Sequence, residues 1–141
     1  MQLADVNVLL TALNVDSPQH PASSEWLRAR LASAEPFAVS ELILSSVVRI
    51  ATNRSVYAVP SSLETVLAFA DAMRRAPNAR VISPARHHWK LFSGLCLRYG
   101  IVGPDVTDAY LAALAIEHSC EFVTFDRGFR RFEELAVREP G

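Results

Sequence analysis

This sequence predicts an α/β fold with a parallel sheet covered by helices on both faces, and three observations carry that expectation. Short apolar stretches alternate along the chain with longer amphipathic ones, the pattern of strand–helix–strand units. Half of the 141 residues are hydrophobic and 21% are charged, enough to build one ordinary core, so residues 1–141 are expected to form a single domain. Finally, carboxylates recur where strands end or helices begin: Asp5, Glu41, Asp108 and Asp126. Right-handed crossovers put the carboxyl ends of parallel strands along one edge. Ligands of open α/β sheets bind at that edge.

The elements follow in order. Met1 to Asn7 reads as a strand with Asp5 at its carboxyl end, and Val8 to Leu13 as a short helix. After a turn at Asp16-Ser17-Pro18, His20 to Ala34 has Trp26, Leu27 and Leu31 at helical spacing, with Pro21 in a favourable first-turn position. Pro36 to Val39 is the second strand. Ser40 is placed to cap the next helix, which carries Leu42, Leu44, Val47, Val48 and Ile50 and ends near Thr52-Asn53. Ser61 or Ser62 caps a helix with Leu63, Val66, Leu67, Phe69 and Ala70 on its apolar face. Arg80 to Ser83 forms the third strand, and Pro84 opens a helix that reaches Tyr99 and carries Trp89, Phe92, Leu95 and Leu97. His87 and His88 are adjacent, so they point in different directions, and surface or capping roles are expected of them.

Gly103-Pro104 then breaks the chain, and Asp105 or Thr107 is positioned to cap a helix with Asp108 in its first turn. Ala112 and Ala115 share the face of Asp108, a small-residue stripe that lets this helix lie close to the sheet. The helix ends near His118-Ser119. Glu121 to Thr124 follows as a strand, then Asp126 and the polar turn Arg127-Gly128, a turn of helix from Phe129 to Phe132, and a fifth strand from Glu134 to Val137.

No apolar run reaches ~18 residues and no basic segment precedes an apolar one, so neither a membrane span nor a signal peptide is expected, and the expected address is the cytoplasm. Cys96 and Cys120 form no C-x-x-C and have no histidine at zinc spacing, and Cys96 is expected to be a buried thiol. Thirteen arginines stand against the single Lys90, a bias that GC-rich coding produces and that also suits bidentate phosphate contact.

Glu41 taken alone is explained as favourable charge at a helix N-terminus, worth ~0.3–1 kcal/mol. Its place at a strand's carboxyl end, as the third acid so placed, favours a site. Four carboxylates crowded together repel one another and raise each other's pKa values unless something offsets the charge. Arg127 and its neighbours are available cations, but a divalent ion resolves the repulsion more completely, because Mg²⁺ and Mn²⁺ prefer oxygen ligands. Such an ion activates water and neutralises charge on a phosphoryl oxygen. With no nucleophile elbow and no Walker loop in the chain, metal-assisted phosphodiester hydrolysis is the expected chemistry.

Four segments also carry a family resemblance: Asp5-Val6-Asn7-Val8-Leu9-Leu10, Ser40-Glu41-Leu42, Asp108 through Ala115, and Val123-Thr124-Phe125-Asp126-Arg127-Gly128-Phe129. In this order and spacing the sequence resembles PIN-domain proteins, above all the VapC toxins of bacterial type II toxin–antitoxin pairs, over essentially its whole length. The resemblance implies a PIN-like three-layer fold, with a parallel four- to five-stranded sheet between helices. It implies a Mg²⁺- or Mn²⁺-dependent endoribonuclease with Asp5, Glu41, Asp108 and Asp126 as metal-holding acids and Asn7 and Thr124 as supporting hydrogen-bonding residues. A homodimer and a small VapB-type antitoxin that covers the active site are implied as well. Many relatives carry a further aspartate where this chain has Gly128, which leaves one less acid for a second metal; Asp105 is the acid available to compensate, though a helix cap is its expected role.

Three other readings compete. A haloacid dehalogenase-type phosphatase needs an aspartate at position 7, which is Asn7, and a well-placed lysine, whereas Lys90 lies within an amphipathic helix. A receiver-type signalling domain needs paired early acids and a late lysine, and both are missing. A catalytically inactive PIN-fold binding module would have no reason to keep the intact acid quartet.

Overall fold

The computed structural model describes residues 1–141. Its elements are β1 (Gln2–Ala4), α1 (Val6–Leu13), α2 (His20–Ala32), β2 (Phe37–Ser40), α3 (Glu41–Ala51), α4 (Leu63–Arg75), β3 (Ala79–Ile82), α5 (His88–Tyr99), α6 (Val106–Glu117), β4 (Glu121–Val123) and β5 (Val137–Arg138). Two 3-10 turns, Gly103–Asp105 and Arg127–Arg131, precede α6 and follow β4. The five strands form one sheet in the order β3-β2-β1-β4-β5, and every pair is parallel. The expected α/β class and parallel sheet are both present.

The strand order decides where a site can form. From β1 the chain winds outward through β2 to β3, then crosses back to place β4 on the other side of β1. With right-handed crossovers, the helices of the outward path and those of the return cover opposite faces. Accordingly α1 packs on α2 and α3, and α3 on α4, while α5 and α6 pack as a separate pair. The winding direction reverses between β1 and β4, where Leu3 pairs with Phe122 and Ala4 with Val123. A crevice opens at such a reversal, beyond the carboxyl ends of the two strands.

Leu3, Val39, Phe122 and Val123 on the strands pack with Val8, Ile43, Val47, Val66 and Leu114 from the helices, all essentially free of solvent. In α6, Ala109, Ala112, Ala113, Leu114 and Ala115 are all fully buried, so the helix lacks an exposed stripe over this stretch. The reason is its position: α6 lies between β4 and α5, and a helix covered on both sides is apolar nearly all round. Beyond it Ser119 adopts φ 55, which lets the Cys120 N–H return to the Ala115 carbonyl at 2.8 Å and turns the chain into β4.

Several boundaries differ from the expectation for physical reasons. β1 stops at Ala4 because the Asp5 side chain accepts the Val6 N–H and starts α1 there, which moves Asn7 into a helix. Ser40 and Ser62 cap α3 and α4 through the Ile43 and Thr65 N–H groups, as expected. Neither Asp105 nor Thr107 caps α6 with its side chain; the 3-10 turn leads straight into the helix. The helix expected from Pro84 begins only at His88, because the Glu117 carboxylate accepts the Ala85 and His87 N–H groups at 2.8 and 2.9 Å and holds this segment as a turn. His88 is buried rather than at the surface: its Nε2 meets the Tyr110 carbonyl at 3.0 Å and its ring packs on Phe92 and Tyr110. Of the large apolar residues that α5 carries, Trp89 and Leu97 are 70% and 86% exposed. Cys96 is only half-buried, whereas Cys120 is the buried thiol. The last strand falls at Val137–Arg138, later than expected.

Ala112→Leu tests the close packing of α6. Overfilling this buried position should cost about 1–3 kcal/mol, read as a lower urea midpoint. An unchanged midpoint would show that α6 does not lie as tightly as described.

Candidate active site

At the β1–β4 reversal the Asp5 N–H donates to the Val123 carbonyl at 2.8 Å, which locks the end of β1 onto β4. The Asp5 side chain is thereby buried, with the residue only 6% exposed. A buried carboxylate needs donors, and three reach it. Its Oδ1 accepts the Val6 N–H at 2.7 Å, and its Oδ2 accepts the Thr124 hydroxyl at 2.7 Å and the Asn7 amide at 3.2 Å.

Thr124, just past β4, is the hub of this network. Its hydroxyl donates to Asp5 and accepts from Asn7 Nδ2 at 3.1 Å and from the Asp126 N–H at 3.0 Å, which fills the capacity of one hydroxyl. Asn7 closes the circuit, since its Oδ1 accepts the Phe125 N–H at 3.2 Å. The two supporting residues expected from sequence therefore tie Asp5 to the backbone that carries Asp126. Asp126 caps the 3-10 turn with its Oδ1 on the Gly128 N–H at 2.8 Å.

Asp108 lies in the first turn of α6, its side chain 27% exposed, with Oδ2 accepting Arg131 Nη2 at 3.1 Å. Burial pushes the Asp5 carboxyl above its ordinary value; the Thr124 hydroxyl and Val6 N–H oppose the rise, and the charges of Asp108 and Asp126 add to it. Burial also pushes Asp108 up, with Arg131 opposing and Asp126 and Asp105 adding. Three aspartates thus share one electrostatic field.

Glu41 stands apart from them. It opens α3 with its side chain 63% exposed, and its Oε2 receives Arg74 of α4 through Nη2 at 2.8 Å and Nε at 2.9 Å. No three histidine, cysteine or acidic side chains stand close enough together to ligate one ion. The sequence-derived quartet is therefore three aspartates in one field plus a glutamate held by an arginine. An exposed pair of this kind is worth only ~0–1 kcal/mol, so turning Glu41 inward costs little. The donor set suits a hard divalent cation, being all carboxylate oxygen, and the Asp5, Asp108 and Asp126 carboxylates each keep lone pairs that their hydrogen bonds leave free.

Arg127, the cation expected beside the acids, pairs with Glu139 at 3.0 Å instead. Arg131 takes that place, and sequence reasoning overlooked it. The available signal was the turn type: residues three apart eclipse in a 3-10 helix, which puts Arg131 over Gly128. The largest surface cavity, along α5 beside Leu91, Leu95 and Ile116, is lined by none of the four acids.

Comparison with known proteins places the chain in a family. The family model described as "PIN domain" matches residues 3–135. The chain is 38% identical to "Ribonuclease VapC25" and 37% identical to "Ribonuclease VapC31", both of Mycobacterium tuberculosis, each over 141 residues and 99% of both chains. In fold it is similar to a chain of VapBC2 from Rickettsia felis bound to a promoter DNA fragment, with TM-score 0.69, 15% identity, and 98% of this chain and 97% of that one covered. The chain belongs to the PIN-domain family and, within it, groups with the proteins named VapC ribonucleases.

Proposed function

We propose that this chain is a single PIN domain acting as a Mg²⁺- or Mn²⁺-dependent endoribonuclease, the toxin of a toxin–antitoxin pair. One observation carries the reading above all others: Asp5 is buried, raised in pKa and fixed by Thr124 and Asn7 within the field of Asp108 and Asp126. A fold keeps such a repulsive group when a cation offsets it. When bound, a divalent ion supplies an activated water and neutralises charge on the phosphate. Asp5, Asp108 and Asp126 would hold it, and Glu41 would join after leaving Arg74. Thr124 and Asn7 keep the Asp5 carboxylate in one orientation, so no reorganisation is needed as charge develops.

The ribonuclease names of relatives 37–38% identical over the whole chain support RNA as the substrate. A phosphatase of haloacid dehalogenase type is not favoured, because Asn7 is spent in the hydrogen-bond network and Lys90 lines the cavity along α5. Nor is an inactive scaffold, for which the buried Asp5 would be an unoffset cost.

A homodimer and a VapB-type antitoxin belong to the same proposal, supported by fold neighbours solved as toxin–antitoxin complexes. A groove between α3 and α4, with Leu44, Val48, Leu67 and Ala70 on its apolar side and Glu41 and Arg74 in its lining, offers such a partner a seat at Glu41. No helix is long and apolar enough to cross a membrane, and action in the cytoplasm completes the proposal.

Cleavage of mixed RNA should require Mg²⁺ or Mn²⁺ and leave 5′-phosphate and 3′-hydroxyl ends, because water and not the ribose 2′-hydroxyl attacks. End-labelling that reveals 2′,3′-cyclic phosphates would refute this. Asp5→Asn and Asp108→Asn should each abolish cleavage in folded protein, and near-parental activity in either would displace the site.

Stability in chelator tests the electrostatics. A carboxyl whose folded pKa is raised contributes stability below its unfolded pKa and loses it as pH rises through the folded value. Metal-free parent should therefore melt below Asp108→Asn at neutral pH, and the gap should close as pH falls below the carboxylate range. Mg²⁺ should raise the parent more than the variant, by mass action on the folded state. A parent that melts above the variant in chelator, with neither shifted by Mg²⁺ or Mn²⁺, would contradict the site.

A further inference from the structure

Among the three aspartates that share this field, Asp108 alone is bonded to a cation, Arg131, whose placement is constrained by several contacts. Nη2 bonds Asp108 Oδ2 at 3.1 Å. The guanidinium lies 4.9 Å from the centroid of the Phe132 ring, which is itself buried at 1% exposure. Its Nε is buried there without a hydrogen-bond partner. A group held by stacking and one carboxylate, at the cost of an unsatisfied N–H, is fixed in orientation before any substrate arrives. Nη1 bonds no protein atom and lies 3.9 Å from where a side chain on residue 128 would begin. Because residue 128 is glycine, no side chain stands between that nitrogen and Asp126, and the Arg131 side chain stays 34% exposed. A side chain there would also meet Asp126 Oδ1 at 3.0 Å, so that carboxylate would have to shift by a few tenths of an ångström to admit one.

The charges then come close to balance. Asp5, Asp108 and Asp126 together carry −3, or −4 once Glu41 joins; one divalent ion and one guanidinium carry +3. A second divalent ion would have to enter beside a fixed positive charge, on the side where position 128 supplies no carboxylate.

We propose that Arg131 serves as the second positive centre of this site: it takes the place of a second metal ion, holds Asp108 through Nη2 and offers Nη1 to the scissile phosphate of the RNA. This rests on the metal-dependent ribonuclease reading. In the hydrolysis, a water oxygen bonds to phosphorus and the bond from phosphorus to the ribose O3′ breaks. One proton of the water passes to solvent, the leaving oxygen takes up a proton to become the 3′-hydroxyl, and the phosphate stays on the 5′ side of the following nucleotide. Arg131 forms no bond in this sequence. It steadies the phosphate's charge as the water adds, the role in which a guanidinium fork surpasses a point charge.

The test pairs Mn²⁺ binding, counted by electron paramagnetic resonance, with cleavage of a mixed-sequence single-stranded RNA by the parent, Arg131→Gln and Arg131→Lys. The parent should bind one Mn²⁺ per chain. R131Q should bind Mn²⁺ at least as tightly, since Asp108 is released from its ion pair, while kcat/KM falls about 10²-fold, chiefly in kcat. R131K should recover part of the loss. Circular dichroism checks that each variant is folded; if R131Q is not, R131K decides, with cleavage lowered and Mn²⁺ affinity unchanged as the expected result. Two Mn²⁺ per parent chain would overturn the proposal, as would R131Q cleavage within about threefold of the parent. Mn²⁺ affinity and cleavage falling in step in either variant would also overturn it, because Arg131 would then only hold Asp108 in place for the metal. A parent that binds no Mn²⁺ and cuts no RNA would overturn the ribonuclease reading along with it, whereas a parent that does both isolates the failure to Arg131.

Discussion

Everything at this site depends on the burial of one carboxylate. The Asp5 N–H is consumed by the Val123 carbonyl, so the side chain has nowhere to go but the crevice between β1 and β4. Burial there raises the cost of its charge, and the surrounding groups reduce that cost without removing it. Thr124, Asn7 and the Val6 N–H each satisfy one lone pair, yet the carboxyl stays above its ordinary pKa because burial outweighs them, with the charges of Asp108 and Asp126 adding to the rise. Hydrogen bonds therefore fix its position and leave its charge unresolved. That combination, a rigid ligand with residual repulsion, is what a cation site requires before the cation arrives.

The secondary structure supplies the geometry without special devices. A parallel sheet whose strand order reverses once makes one crevice, and the two strands that flank it deliver Asp5 on one side and Thr124 and Asp126 on the other. α6 brings Asp108 to the same place because alanines along it let the helix settle against the sheet and α5. The largest cavity of the molecule lies elsewhere and contains none of this chemistry. Here the position of charge, not the size of the hollow, marks the site.

Much of this was legible in the sequence because it is local. Strand–helix alternation, the Ser40 and Ser62 caps and the acids at strand ends all follow from residues within a few positions of one another. What sequence reasoning missed depends on partners distant in the chain. His88 is buried because the Tyr110 carbonyl, 22 residues on, receives its ring nitrogen. The first turn expected of α5 is lost to Glu117, and Glu41 is held by Arg74, 33 residues away. Arg127 and Arg131 are indistinguishable by composition; only the 3-10 turn and Glu139 decide which of them meets Asp108. The four acids are visible in the sequence as residue types, whereas their resting arrangement, three aspartates in one electrostatic field and Glu41 paired with Arg74, is a tertiary fact.

The most direct test of a preorganised, cation-seeking Asp5 is the titration of its side-chain carboxyl carbon by nuclear magnetic resonance, in chelator and then with saturating Mg²⁺. Without metal, Asp5 should titrate above the ordinary aspartate range, since burial and the neighbouring aspartates penalise its charge. With Mg²⁺ its titration should move down, because bound cation favours the charged form. An Asp5 that titrates at the ordinary value in chelator and does not respond to Mg²⁺ would contradict the account at its centre.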